Sequence, residues 1–143
     1  MKKIILLLCC LSTFFLKAQQ KQTIAIGFYN LENYYDTLND PNTDDDEFTP
    51  NGANAYTPAV FIKKVENLAT VISQMGMDKT PDGISFLGVA EIENEFVLKT
   101  LCAHPLLKAR NWKVVHFEGP DARGVDCGFL YNPAKFRLMG ARS

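Results

Sequence analysis

Three apolar runs in this chain each end in side chains that can do chemistry on a metal ion or a phosphate. The most informative is Ser85-Phe86-Leu87-Gly88-Val89-Ala90-Glu91-Ile92-Glu93-Asn94, which delivers the Glu91 carboxylate to the exposed end of a buried strand. A hard divalent cation such as Mg²⁺ takes oxygen ligands in octahedral geometry and keeps several waters, so one or two carboxylates suffice to hold it. Upstream, Ile24-Ala25-Ile26-Gly27-Phe28-Tyr29-Asn30-Leu31-Glu32-Asn33 repeats the design. Its Asn30 amide oxygen can accept from a metal-bound water, or help hold the cation, without adding charge. Downstream, Arg123-Gly124-Val125-Asp126-Cys127-Gly128-Phe129-Leu130-Tyr131 offers a guanidinium to clamp a phosphate oxygen and a carboxylate to orient a neighbour. Structural readings compete at each position: a solvated carboxylate for Glu91, a turn or cap for Asn30, a buried Arg123–Asp126 ion pair, with Asp121 a rival partner for Arg123. Glu93 is expected to face away from Glu91 and to orient the loop.

Those groups need elements to hold them. Thr23–Tyr29 reads as a strand apolar on both faces. A loop rich in Asp, Asn, Pro and Gly follows over 35–56, long enough to suggest a functional or mobile excursion. Thr57-Pro58 is a helix start, and Phe61, Val65, Leu68, Ile72 and Met75 form one apolar stripe that Gly76 ends. Ile84–Val89 is a second strand, Asn94 caps a helix running to about Cys102, and strands follow over 112–117 and 125–131. This order describes an α/β layer arrangement.

Other chemistries find little support. Asp40 to Glu47 alternates oxygen ligands, but an EF-hand needs Gly at its sixth position and Glu at its twelfth, where this segment has Asp45 and Asn51. It reads as a solvated acidic loop. His104 and His116 read as structural or surface groups. There is no Gly-rich phosphate loop, nucleophile elbow or zinc-type Cys/His spacing.

Lys2 and Lys3, an apolar stretch over 4–16 and Ala18 before a polar run read as a signal peptide over 1–18, which implies export to the periplasm or beyond the cell. The stretch is shorter than the ~20 residues a membrane span needs. Cleavage removes Lys2, Lys3 and Lys17 and leaves 12 basic against 16 acidic residues, a net charge near −4. That balance does not suit a protein that coats nucleic acid nonspecifically. Cys102 and Cys127 remain, and read as thiols.

In order and spacing, the three motifs resemble those of the endonuclease/exonuclease/phosphatase superfamily, in particular secreted bacterial members with F-x-N-L-E-N, E-x-E-N and R-G-x-D-x-x-x-L-Y. The resemblance covers roughly residues 22–139. It implies the N-terminal half of a two-sheet α/β/β/α sandwich over 22–143, acting as a monomer on a phosphoester, either nucleic acid or a small phosphodiester, with Mg²⁺ or Mn²⁺. It implies Glu91 and Asn30 as metal-site residues, with Asn30, Arg123 and Asp126 in the catalytic set. The superfamily's G-D-x-N and S-D-H motifs do not occur before Ser143, so this chain is expected to be incomplete and inactive alone. The competing expectation is a noncatalytic exported binding module on the same fold.

Overall fold

A computed structural model describes residues 22–142; the expected leader over 1–18 lies outside the described residues. Four strands, β1 (Ala25–Tyr34), β2 (Ile84–Ile92), β3 (Lys113–His116) and β4 (Asp126–Tyr131), form one mixed sheet in the order β1-β2-β4-β3. β1 and β2 are parallel, joined through helix α1 (Pro58–Gln74); β4 runs antiparallel to both β2 and β3. Helix α2 (Glu95–Ala103) follows β2. The expected α/β arrangement is therefore present as one four-stranded sheet with two helices.

Both helices begin where side-chain chemistry dictates. The Thr57 hydroxyl accepts from Val60 N with Pro58 in the first turn, and the Asn94 amide oxygen accepts from Val97 N at 3.1 Å. The apolar stripe of α1 buries Val65, Leu68, Ala69 and Ile72, with Phe61 and Met75 partly buried at its ends. These meet Val97, Leu98 and Leu101 of α2 and Leu31, Leu87, Val89, Ile92 and Leu130 of the sheet in one core. Gly76, just past α1, has φ +74°, and a Cβ there would lie 2.9 Å from that of Ala25. Only glycine lets the chain turn back so tightly into β2.

The other sheet face is open. Ile26 and Phe28 of β1 are 67% and 65% exposed, and the Phe86 ring lies 5.5 Å from both Phe129 and Phe136 on this side. The loop over 35–56, expected as an excursion, packs on a small core: its Tyr35 and Tyr56 are buried with Val125, and the partly buried Phe48 stacks its ring on Tyr35 at 4.1 Å. Aromatic residues scattered through a polar segment supply this core. They have no periodicity to reveal it.

Candidate metal and phosphate site at the strand tips

At the C-terminal ends of β1 and β2 the ladder breaks in both strands opposite each other. Asn30 pairs with Ala90 and Tyr34 with Ile92, so Leu31, Glu32 and Asn33 face the single residue Glu91. On the other side Ala90 pairs with Cys127 and Ile92 with Asp126, which leaves Glu91 as a bulge. Three residues here adopt left-handed backbone: Glu32 and Asn33 at φ +54° and Glu91 at φ +56°. Such conformations cost a non-glycine residue on the order of 1–3 kcal/mol and persist only where surrounding structure enforces them. Bulges beside functional sites re-aim a side chain, and that happens here. In an unbroken strand Glu91 would share the helix-covered face with Leu87 and Val89. The bulge gives that place to Ile92, which is fully buried, and frees Glu91.

Asn30 Nδ2 donates to Glu91 Oε1 at 2.9 Å and Asn33 N donates to Oε2 at 3.1 Å. Each carboxylate oxygen retains a second lone pair, so Glu91 is oriented by two donors and still able to ligate. The Asn30 oxygen is already engaged, accepting from Glu32 N at 2.7 Å. Asn30 thus orients the Glu91 carboxylate through its nitrogen, while its oxygen keeps a second lone pair beside the Glu32 bond. Lys64 Nζ donates to Glu32 O at 2.9 Å and tethers the looped tip to α1.

A cleft of about 520 Å³ beside Glu91 is lined by Asp121, Arg123 and Asp126 among others. The structure therefore brings all four expected residues to one neighbourhood but does not join Arg123 to Asp126. Arg123 binds Asp121, Nε to Oδ1 at 3.2 Å and Nη2 to Oδ2 at 3.0 Å, in an exposed pair. That hydrogen bonding holds the Asp121 carboxyl below the usual range. The Arg123 carbonyl is anchored by the Tyr35 hydroxyl at 2.9 Å. Asp126 is buried, taking Gly119 N on Oδ1 at 2.7 Å and His116 Nε2 on Oδ2 at 3.0 Å. A Cβ on Gly119 would fall 2.4 Å from Asp126 Oδ1. Asp126 therefore orients His116 and fastens the loop that carries Arg123, and the buried Arg123–Asp126 pair is absent.

His116 Nδ1 also lies 3.7 Å from Glu118 Oε1. His116, Glu118 and Asp126 are the one group of three His, Cys, Asp or Glu residues among those described whose ligand atoms lie within 4.8 Å of one another. Its ring nitrogen and inner carboxylate already satisfy each other. Residue order does not announce this pairing, because it depends on the β3–β4 register that sets His116 opposite Gly128.

Glu93 engages a different segment from Glu91; strand alternation does not dictate this, because residues two apart in an unbroken strand share a face, and here the bulge at Glu91 intervenes. Glu93 is buried and its Oε2 accepts from Asp36 N at 2.5 Å, so it orients the 35–56 segment. Burial, opposed by that hydrogen bond and reinforced by Asp36, Asp45 and Asp40, pushes its carboxyl up to about 7.

No curated protein and no solved structure matches the chain. A family model does match, over residues 25–143, which include all three motifs and every residue of the cleft. On that match, the chain belongs to the Endonuclease/Exonuclease/phosphatase family, a family of phosphoesterase type.

Proposed function

We propose that residues 22–142 carry the metal end of a divalent-metal-dependent phosphoester hydrolase, with Glu91 as its ligand. The observation that carries this reading is the Glu91 carboxylate itself, re-aimed by a bulge and held by Asn30 Nδ2 and Asn33 N with one lone pair left on each oxygen. A strained, oriented carboxylate with no ion-pair partner among the described residues suits Mg²⁺ or Mn²⁺, which needs one or two such ligands and completes its shell with water and substrate oxygens. When bound, the ion supplies charge stabilisation to the phosphoryl oxygens and the leaving group. Glu91 fixes where that charge sits, and Asn30 keeps the carboxylate from rotating. Arg123, across the cleft, exchanges its exposed bond to Asp121 for a phosphate oxygen. Asp126 keeps the Arg123 loop in place through Gly119 N.

The open apolar sheet face is, on this reading, where a second sheet packs to complete an α/β/β/α sandwich, bringing the groups that orient the attacking water. The protein is exported by its leader and acts as a monomer on a nucleic acid or a small phosphodiester.

The test is hydrolysis of a bis-aryl phosphodiester and of plasmid DNA with Mg²⁺, by the 143-residue chain and by whatever longer product its reading frame encodes. The expected result is turnover by the longer product only, lost with chelator and lost in Glu91→Ala. Full activity in Glu91→Ala would remove the assignment.

A further inference from the structure

Asp126 holds His116 by one ring nitrogen and leaves the other facing a carboxylate. Both side chains are 5% exposed, and His116 Nε2 lies 3.0 Å from Asp126 Oδ2, while Oδ1 already accepts from Gly119 N. An ionised carboxylate can only accept, so the hydrogen of the neutral ring stands on Nε2 and Nδ1 keeps a bare lone pair. That lone pair is not aimed at a donor. Its polar neighbour is Glu118 Oε1, another acceptor, at 3.7 Å.

The separation discriminates between the things that can stand between two acceptors. It is too long for a direct hydrogen bond. A water donating to both, with bonds of about 2.8 Å, would hold them about 4.4 Å apart. Two ligands about 2.1 Å from a tetrahedral zinc ion lie about 3.4 Å apart, so a small turn of Glu118 closes 3.7 Å onto such an ion. Glu118 is free to make that turn, its side chain being 77% exposed. The ring is not: its hydrogen bond to a buried carboxylate is the support that metal-ligating histidines typically have, fixing the tautomer and raising the basicity of the bare nitrogen.

We propose that His116 Nδ1 and Glu118 form a second metal site, for Zn²⁺, with Asp126 behind the ring and water completing the shell. An imidazole ligand suits zinc, and Mn²⁺ stands at the bottom of the affinity order for a site of this kind, so Mn²⁺ and Mg²⁺ are left to the oxygen ligands at Glu91. The ion would draw Glu118 onto β3 beside the bond from Gly119 N to Asp126, fastening at two consecutive residues the segment that leads to Arg123. The site does not depend on the assignment of Glu91.

The experiment is calorimetric titration of Zn²⁺ into the Glu91→Ala/Cys127→Ser chain, which lacks the other candidate carboxylate and the exposed thiol, with long-range ¹H–¹⁵N spectra of the imidazoles. One Zn²⁺ per chain is expected, bound at least about tenfold more weakly in Glu118→Ala and equally well in His104→Ala. Substitution at an exposed position such as Glu118 does not threaten the fold. In the spectra Zn²⁺ is expected to shift Nδ1 of His116 while Nε2 keeps its hydrogen. No Zn²⁺ binding overturns the proposal, as does binding that is unchanged in Glu118→Ala, lost in His104→Ala, or accompanied by an unshifted Nδ1.

Discussion

Asn30 and Glu91 divide one task between them. The amide has a donor end and an acceptor end, and the chain uses both: Nδ2 orients Glu91 while Oδ1 holds the looped backbone at Glu32 N. Groups that orient a metal ligand typically matter by 10–100-fold in affinity. Asn30→Ala is therefore expected to weaken Mn²⁺ binding about tenfold without removing it, read by electron paramagnetic resonance of free Mn²⁺. Glu93 makes a separate prediction. Its carboxyl titrates near 7 in the fold against an ordinary 4.5, so between those values the folded chain holds more protons than the unfolded one. Its contribution to stability is thus present below about pH 4.5 and lost as pH rises through about 7. In chelator, denaturant melts of the wild-type chain should show this component of the slope across pH 5 to 7, and Glu93→Gln should flatten it; an unchanged slope would count against the buried, uncompensated Glu93. At this scale the sequence identified the residue types at the site, while hydrogen-bond direction and the Asp126–His116 pairing stayed hidden, since each depends on contacts between distant segments.

Elements were legible where local chemistry fixes them. Thr57-Pro58 and Asn94 start helices because their side chains accept backbone N–H groups, and the spacing of Val65, Leu68 and Ile72 turns one face of α1 inward. The strands were legible in place but not in length: β1 and β2 extend to Tyr34 and Ile92, past the expected Tyr29 and Val89, because the paired irregularity at the tips continues the ladder beyond the polar residues. No alternation pattern announces a bulge, since three left-handed residues look like any other Glu and Asn in the sequence. Asn94 is the most consequential cap, because its oxygen starts α2 while its nitrogen reaches Asp36 at 3.1 Å. Asn94→Ala should cost about 1–2 kcal/mol of stability by denaturant unfolding, with Asn94→Asp keeping the cap but setting a second charge against Asp36.

Taken together, the described residues form a half-covered sheet. Two helices bury one face, and the other presents Ile26, Phe28 and Phe129 to solvent beside Phe86. Contiguous apolar surface of this kind marks a surface meant to be covered. The chain is expected to bind an environment-sensitive apolar dye and to do so less in Ile26→Lys/Phe28→Lys, whose helical core remains intact; equal dye binding in that variant would mean that this face is already shielded. The site stands at one edge of the open face, where Asn30 follows Phe28 along β1, so metal and substrate would meet at the rim of the covered surface. The most direct measurement is paramagnetic broadening of backbone amide resonances by Mn²⁺ in the wild-type chain and in Glu91→Gln. The account predicts broadening centred on Asn30 to Asn33 and on Ala90 and Glu91, absent in Glu91→Gln. Broadening centred instead on His116, Glu118 and Asp126, or left unchanged by that substitution, would contradict it.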